Sequence, residues 1–459
     1  MFGRVNHIHM IGIGGIGMSG IAYILHNLGF KVAGSDISRS EITEGLGKTG
    51  IRVDIGHRKT NLKEADVVVI SSAVKPTNPE IKAARERGIP IIGRGEMLGE
   101  LMRMKYSTAV AGTHGKTTTS SMISFMLELG ELDPTSIIGG KVLEMGSNAK
   151  MGKSQYLVAE ADESDRSFLH LFPSIAVVTN IEAEHLDYYK NLDDIKNCFK
   201  EFVEKIPFYG LAVLCGDDEG VKSIYPDLKV RKISYGLGNE NEIRPMWRRS
   251  EGWRSRFVMK FDEKLFEFEL NLPGEHNVQN AIAAIAVGRE LGVSPMVMKE
   301  ALSRFRGVRR RMEKVDELDG ITFIDDYGHH PTEIAATIKA LRGVFPQQPL
   351  KVLFQPHRYT RTKHLHKLFG PAFTETDEVV LTDIYKASER PIPGVSSELI
   401  EQSIKKAAPK VSVQVMSDRK KIVEYFSQTL NPGDVFLTLG AGDVWKIGSV
   451  IIERMSCRT

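Results

Sequence analysis

Short apolar runs separated by glycine turns and polar loops set the rhythm of this chain. Residues 7–11, 31–35, 66–70, 90–92, 108–111, 155–159, 175–179 and 211–215 are such runs, and 321–324, 350–354, 378–382 and 435–439 repeat them later. Most show no alternation, which suits strands buried on both faces of a parallel sheet. Between them the apolar positions recur at helical spacing: residues 18–28, 96–104 and 117–129 read as helices. The stripe Ile195, Phe199, Phe202 and Val203 reads as a helix face turned to a core. Alternation appears in 257–261 and 265–270, within a stretch from about 230 to 272, and predicts a small antiparallel patch. The expectation is an α/β chain with junctions near Met104 and Arg310, giving segments 1–104, 105–309 and 310–459.

The turns that end these strands carry the chemistry. Gly12, Gly14 and Gly17 satisfy G-x-G-x-x-G between a strand and a helix, with Asp36 at the end of the next strand. That fingerprint describes a Rossmann-like unit holding a diphosphate nucleotide, and taken alone it points to an NAD-dependent oxidoreductase. Residues 111–120 read AGTHGKTTTS, a strand–turn–Lys-Thr–helix layout that suits a phosphate loop. Its first glycine is replaced by Val110, so the match to the common spacing is imperfect. Two acidic clusters follow strand ends: Glu160, Asp162, Glu163 and Asp165, then Glu182, Glu184, His185 and Asp187. Carboxylates at the strand ends of a phosphate-binding domain are where Mg²⁺ ligands belong. His276, Asn277 and Asn280 open a helix, where they either cap it or bond a base or ribose. Arg306, Arg309, Arg310 and Arg311 form a basic turn at the second junction. Four strand ends of the last segment are polar, as in a second Rossmann-like sheet with a ligand edge. The adjacent His329 and His330 lack zinc-site spacing, while Arg358 and Arg361 suit a carboxylate clamp.

Composition narrows the classes. The 459 residues are 42% hydrophobic and 26% charged, with a net charge of +3, too small to argue for nucleic acid or an anionic membrane. The three cysteines show no paired spacing and fit a reducing cytoplasm. The apolar stretch 10–25 is too short for a membrane span and carries five glycines.

Six motifs in order, GTHGKTTT at 112–119, EADESD at 160–165, TNIEAEHLD at 179–187, GEHNVQN at 274–280, DDYGHHPTE at 325–333 and QPHRYTRT at 355–362, resemble those of the Mur ligase superfamily. Within it they are most similar to the alanine-adding branch, and the family's phosphate loop likewise lacks the distant first glycine. The resemblance implies an N-terminal Rossmann-like domain for a UDP-sugar, a central P-loop ATPase-type domain and a C-terminal Rossmann-like domain for an amino acid. The implied reaction joins L-alanine to the lactyl carboxylate of UDP-N-acetylmuramate with ATP and Mg²⁺, through an acyl phosphate. With the charge, cysteines and lack of a span above, the expectation is a cytoplasmic protein, monomer or homodimer, that binds no nucleic acid and does not enter a membrane.

By the same resemblance, Gly12, Gly14, Gly15, Ile16, Gly17, Asp36, His57, Ser71 and Ser72 contact the UDP-sugar. Gly112, Thr113, His114, Gly115, Lys116, Thr117, Thr118, His276, Asn277, Asn280 and Arg310 contact ATP. Thr117, Glu160 and His185 ligate the metal, and Tyr327, His329, Arg358 and Arg361 position the amino acid and product. Lys116, His185 and Arg358 are the implied catalytic groups. The related ligase that attaches a recycled tripeptide to the same UDP-sugar is the competing reading. Lys200, near the position of a carbamylated lysine in later-step ligases, is read as an ordinary helix lysine.

Overall fold

The computed structural model describes residues 3–457 apart from 144–145, 187 and 388, so Asp187 lies outside the described residues. The first sheet has the strands β1 His7–Ile11, β2 Lys31–Asp36, β3 Arg52–Ile55, β4 Val67–Ile70 and β5 Ile91–Gly93, in the order β3-β2-β1-β4-β5. Every pair is parallel, so all five carboxyl ends share one edge. Val68 and Val69 are fully buried, as their unbroken apolar run requires.

The second sheet takes β6 Tyr106–Ala111, β7 Thr135–Ile137, β8 Ala149–Lys150, β9 Tyr156–Glu160, β10 Ile175–Val178, β11 Leu211–Cys215 and β12 Lys232–Tyr235. Its order is β12-β11-β10-β6-β9-β7-β8, parallel except at β8. The Phe199–Phe202 stripe packs on Phe168, with both ring centroids 5.1 Å from it, and is core as expected. The alternating region divides. Its first part, β12, extends the parallel sheet; the rest forms a three-stranded sheet of β13 Trp247–Glu251, β14 Arg254–Phe261 and β15 Lys264–Leu270.

The third sheet is β16 Glu313–Leu318, β17 Ile321–Asp326, β18 Leu350–Phe354, β19 Glu378–Leu381, β20 Ser412–Val415 and β21 Val435–Leu439, ordered β16-β17-β21-β18-β19-β20. The four strands expected from apolar runs are its interior. β16 and β20 are added edges, β16 antiparallel. The chain packs as two compact units, one of 1–246, 258–268 and 279–305, the other of 247–257, 269–278 and 306–459. Segments 247–257 and 269–278, expected in the middle segment, thus belong to the unit of the third sheet. No helix among the described residues is long and apolar enough to cross a membrane.

Candidate active site

In the first unit, the order of the first sheet brings the loops after β1, β2, β3 and β4 side by side. Gly12 turns at φ +80°, and a Cβ there would lie 3.1 Å from the Ser71 side chain, so the glycine admits the neighbouring loop. Asp36 accepts the Gly14 N–H at 2.9 Å and the Ile37 N–H at 2.8 Å. Its carboxylate therefore shapes the loop directly. Gly15 caps the helix Ile16–Asn27, and Ile16 is exposed, its carbonyl accepting Asn148 Nδ2 at 2.8 Å. Ser71 is half-buried and Ser72 exposed at the same edge. His57 lies 3.0 Å from Ser35 Oγ, which donates to the fully buried Glu80 at 2.7 Å. Glu80, which also accepts from Asn61 at 2.7 Å, was invisible as a site element in the sequence.

The second sheet builds the phosphate loop. Gly112 at φ +139° and Gly115 at φ +80° lead into the helix Lys116–Leu129. A Cβ on Gly112 would lie 1.9 Å from Thr179 Oγ1, and one on Gly115 would lie 2.7 Å from Asn280 Oδ1. The loop after β10 clasps this turn: Asn180 accepts the N–H groups of Thr113 (3.1 Å) and His114 (2.8 Å), and Thr179 donates to the His114 carbonyl (2.5 Å). Thr179 and Asn180 sit in the TNIEAEHLD motif, which is the signal that could have found them. Thr117 and Thr118 are buried at the helix start.

Lys116 bends back into its own loop. It donates to the carbonyls of Gly112 and Thr113 and to Glu163, whose Oε2 is 2.8 Å away. Burial alone would lower the Lys116 ammonium, but Glu163, Asp162 and Glu160 outweigh it and hold it above the ordinary lysine range. Burial lifts Glu163 to about 7 against the pull of Lys116, with Asp162 adding to the rise. His185, at φ +54°, brings Nε2 to 3.9 Å from both Glu163 and Glu184. Glu160 accepts from Ser120 Oγ at 3.5 Å, just past the first turn of the helix. Of the two carboxylates, Glu163 takes the lysine and Glu160 faces the helix start. Lys200 pairs with Asp227 at 3.3 Å on the solvent side of the helix whose other face carries Phe199 and Phe202.

In the second unit, the third sheet gathers the loops after β17, β18 and β21. His329 Nδ1 is 3.1 Å from the Tyr327 carbonyl, and its ring lies 5.6 Å from that of His357. His357 stacks on Tyr385 and lies 3.1 Å from Arg361 Nη1. Arg358 begins its helix at φ +70°, its N–H donating to the Tyr385 carbonyl at 2.9 Å. His357 and Tyr385 are thus site elements that the motif reading left unassigned. Arg310 donates to Asp325 (3.0 Å), Gly442 O (3.1 Å) and Gly440 O (2.6 Å), so its guanidinium braces this edge.

The expected base contacts divide between the units. Asn280 belongs to the first and accepts from Thr119 at 3.1 Å, while His276 and Asn277 belong to the second. Burial lowers the His276 imidazole to about 4, so it is neutral near pH 7.

Comparison with known proteins gives four results. Residues 7–106, 110–288 and 310–442 match, in that order, the Mur ligase family catalytic domain, the Mur ligase middle domain and the Mur ligase glutamate ligase domain. A relative from Geotalea daltonii, named UDP-N-acetylmuramate–L-alanine ligase, is 50% identical over 456 residues, which is 99% of each chain. The crystal structure of the UDP-N-acetylmuramate–alanine ligase of Thermotoga maritima superimposes with a TM-score of 0.83 at 30% identity, over 99% of this chain and 100% of that one. A murein peptide ligase from Psychrobacter arcticus matches at a TM-score of 0.72 and 24% identity over 98% of each chain, a likeness of fold alone.

Proposed function

The chain belongs to the Mur ligase family, and we propose that it joins L-alanine to the lactyl carboxylate of UDP-N-acetylmuramate at the expense of ATP. The observation that carries the reaction type is the phosphate loop whose lysine is held 2.9 Å from Glu163 beside a second acidic loop. An amine does not displace oxide from a carboxylate in water, so the carboxylate must first be activated. Its oxygen attacks the γ-phosphorus, ADP leaves, and an acyl phosphate remains. The alanine amine then attacks the acyl carbon, phosphate departs, and the amine loses its proton.

Lys116 serves the first step by leaving the Gly112 and Thr113 carbonyls for the β- and γ-phosphates, where it offsets charge on the transferring group. The glycine N–H groups and the helix N-terminus orient the phosphate chain. Glu160, Thr117 and His185 would hold Mg²⁺. The fit is chemical: carboxylate and hydroxyl oxygens dominate the donors, and Glu160 lies within 3.5 Å of Ser120 Oγ, one turn on from Thr117 in the same helix. When bound, Mg²⁺ neutralises phosphate charge and fixes its geometry. Gly12, Gly14, Gly15, Ile16, Gly17, Asp36, His57, Ser71 and Ser72 are assigned to the UDP-sugar. Tyr327, His329, Arg358 and Arg361 are assigned to the amino acid and product carboxylates. Arg310 is better read as a brace of that edge than as an ATP contact. The reaction implies a cytoplasmic enzyme, where ATP and nucleotide sugars reside.

Phosphate release is to be measured with UDP-N-acetylmuramate, ATP and Mg²⁺ across L-alanine, glycine, L-serine and the murein tripeptide. Release with L-alanine is expected. Release with the tripeptide alone would transfer the chain to the recycling branch.

A further inference from the structure

Arg94 opens the helix Arg94–Arg103 directly after β5, on the ligand edge of the first sheet. Its guanidinium packs on the glycine loop: a Cβ on Gly17 would lie 3.0 Å from Nη1 and 3.3 Å from Cδ. The third glycine of the fingerprint therefore makes room for a cation. On its other edge, Nη2 donates to Asp162 Oδ2 at 2.8 Å, in the acidic loop of the second sheet. A guanidinium has five N–H donors, and among the described residues Asp162 is the partner that Arg94 shows. The remaining donors lie beside the loop whose N–H groups and helix start already favour an anion.

The backbone under Arg94 is rigid. A Cβ on Gly95 would lie 2.7 Å from the Ser167 carbonyl oxygen, and one on Gly99 would lie 2.2 Å from that of His170. The helix thus rests backbone on backbone against the turn Ser167–His170, which closely follows the acidic loop. The glycine loop, Arg94 and the loop that pairs with Lys116 form one connected framework within the first unit.

We propose that Arg94 binds the diphosphate of the UDP-sugar with its unspent donors while Asp162 anchors it, setting the sugar nucleotide in register with the acidic loop beside Lys116. This rests on the reading of the glycine loop as the UDP-sugar site.

The test uses the full chain as wild type, Arg94→Ala, Arg94→Lys, Asp162→Asn and the double variant Arg94→Ala/Asp162→Asn. Binding of UDP and of uridine is measured, together with KM for UDP-N-acetylmuramate and L-alanine. Arg94→Ala is expected to weaken UDP about tenfold or more and to raise KM for the UDP-sugar similarly, with uridine and L-alanine within about twofold. Arg94→Lys recovers part of the loss, and it decides the matter if the alanine variant does not fold. Asp162→Asn weakens UDP in the wild-type background and adds nothing to Arg94→Ala. Equal losses for UDP and uridine, or no loss for UDP in either Arg94 variant, would overturn the assignment. If wild type fails to turn over UDP-N-acetylmuramate with L-alanine, the functional reading falls, while the UDP-against-uridine comparison still judges Arg94.

Discussion

The chain builds two glycine turns on the same plan and loads them differently. Gly12–Gly17 and Gly112–Lys116 each follow a strand of a parallel sheet and open a helix. In the first, the carboxylate of Asp36 takes the Gly14 N–H, and the nearby cation, Arg94, comes from the helix that follows β5. In the second, the cation is built into the loop, and Lys116 is held by Glu163 and two loop carbonyls. A turn that grips a diphosphate through a reaction is served by fixed donors. A turn that transfers a phosphoryl group needs a cation that can leave its resting partners. The difference lies in where the charge sits; the backbone plan is shared.

The largest predicted effect breaks the second turn only. Lys116→Ala should lower phosphate release by about a thousandfold or more while leaving UDP-N-acetylmuramate binding within about twofold. Steady-state turnover and equilibrium binding on the same preparation check this.

Backbone geometry gives the next contrast. Gly112→Ala should destabilise the protein by about 3 kcal/mol, because its Cβ would lie 1.9 Å from Thr179 Oγ1 at φ +139°. Gly15→Ala meets nothing nearer than 3.5 Å at φ −65° and should stay within about 0.5 kcal/mol. Denaturant unfolding of both variants reads the pair.

Asp36→Asn keeps one acceptor oxygen where two N–H groups now bond. KM for the UDP-sugar should rise about tenfold while KM for ATP holds.

The smallest effect concerns His276, proposed to lie at the base end of ATP, where no phosphate charge needs offsetting. His276 is held neutral, its imidazole lowered from 6.5 to about 4. The unfolded chain takes up this proton first as pH falls, so stability is complete above about 6.5 and is lost toward about 4. His276→Gln should remove about 1 kcal/mol of that pH dependence, the side chain being half-buried. Unfolding free energies at several pH values test the sign and the size.

The interior of the fold was legible because its strands are unbroken apolar runs. Val177 and Leu437 are fully buried and could hardly be anything else. The edges were not legible. β16 reads EKVDEL, largely exposed and polar, and only its antiparallel neighbour makes it a strand. β12 sat in an alternating region whose later part forms a separate sheet, and alternation alone does not say which sheet a strand joins. At the site, residue types were readable but pairings were not. EADESD offers four carboxylates, and spacing cannot decide that Glu163 takes Lys116 while Asp162 takes Arg94. Glu80 lies in an unremarkable helix and becomes a buried acceptor for Ser35 and Asn61 only through the fold.

The central claim is that the second turn transfers phosphate to the carboxylate of the nucleotide that the first turn holds. It is tested most directly with UDP-N-acetylmuramate carrying ¹⁸O in both lactyl carboxylate oxygens. Turnover with L-alanine should release inorganic phosphate bearing one ¹⁸O, with the other retained in the new amide. Phosphate free of ¹⁸O would contradict the account.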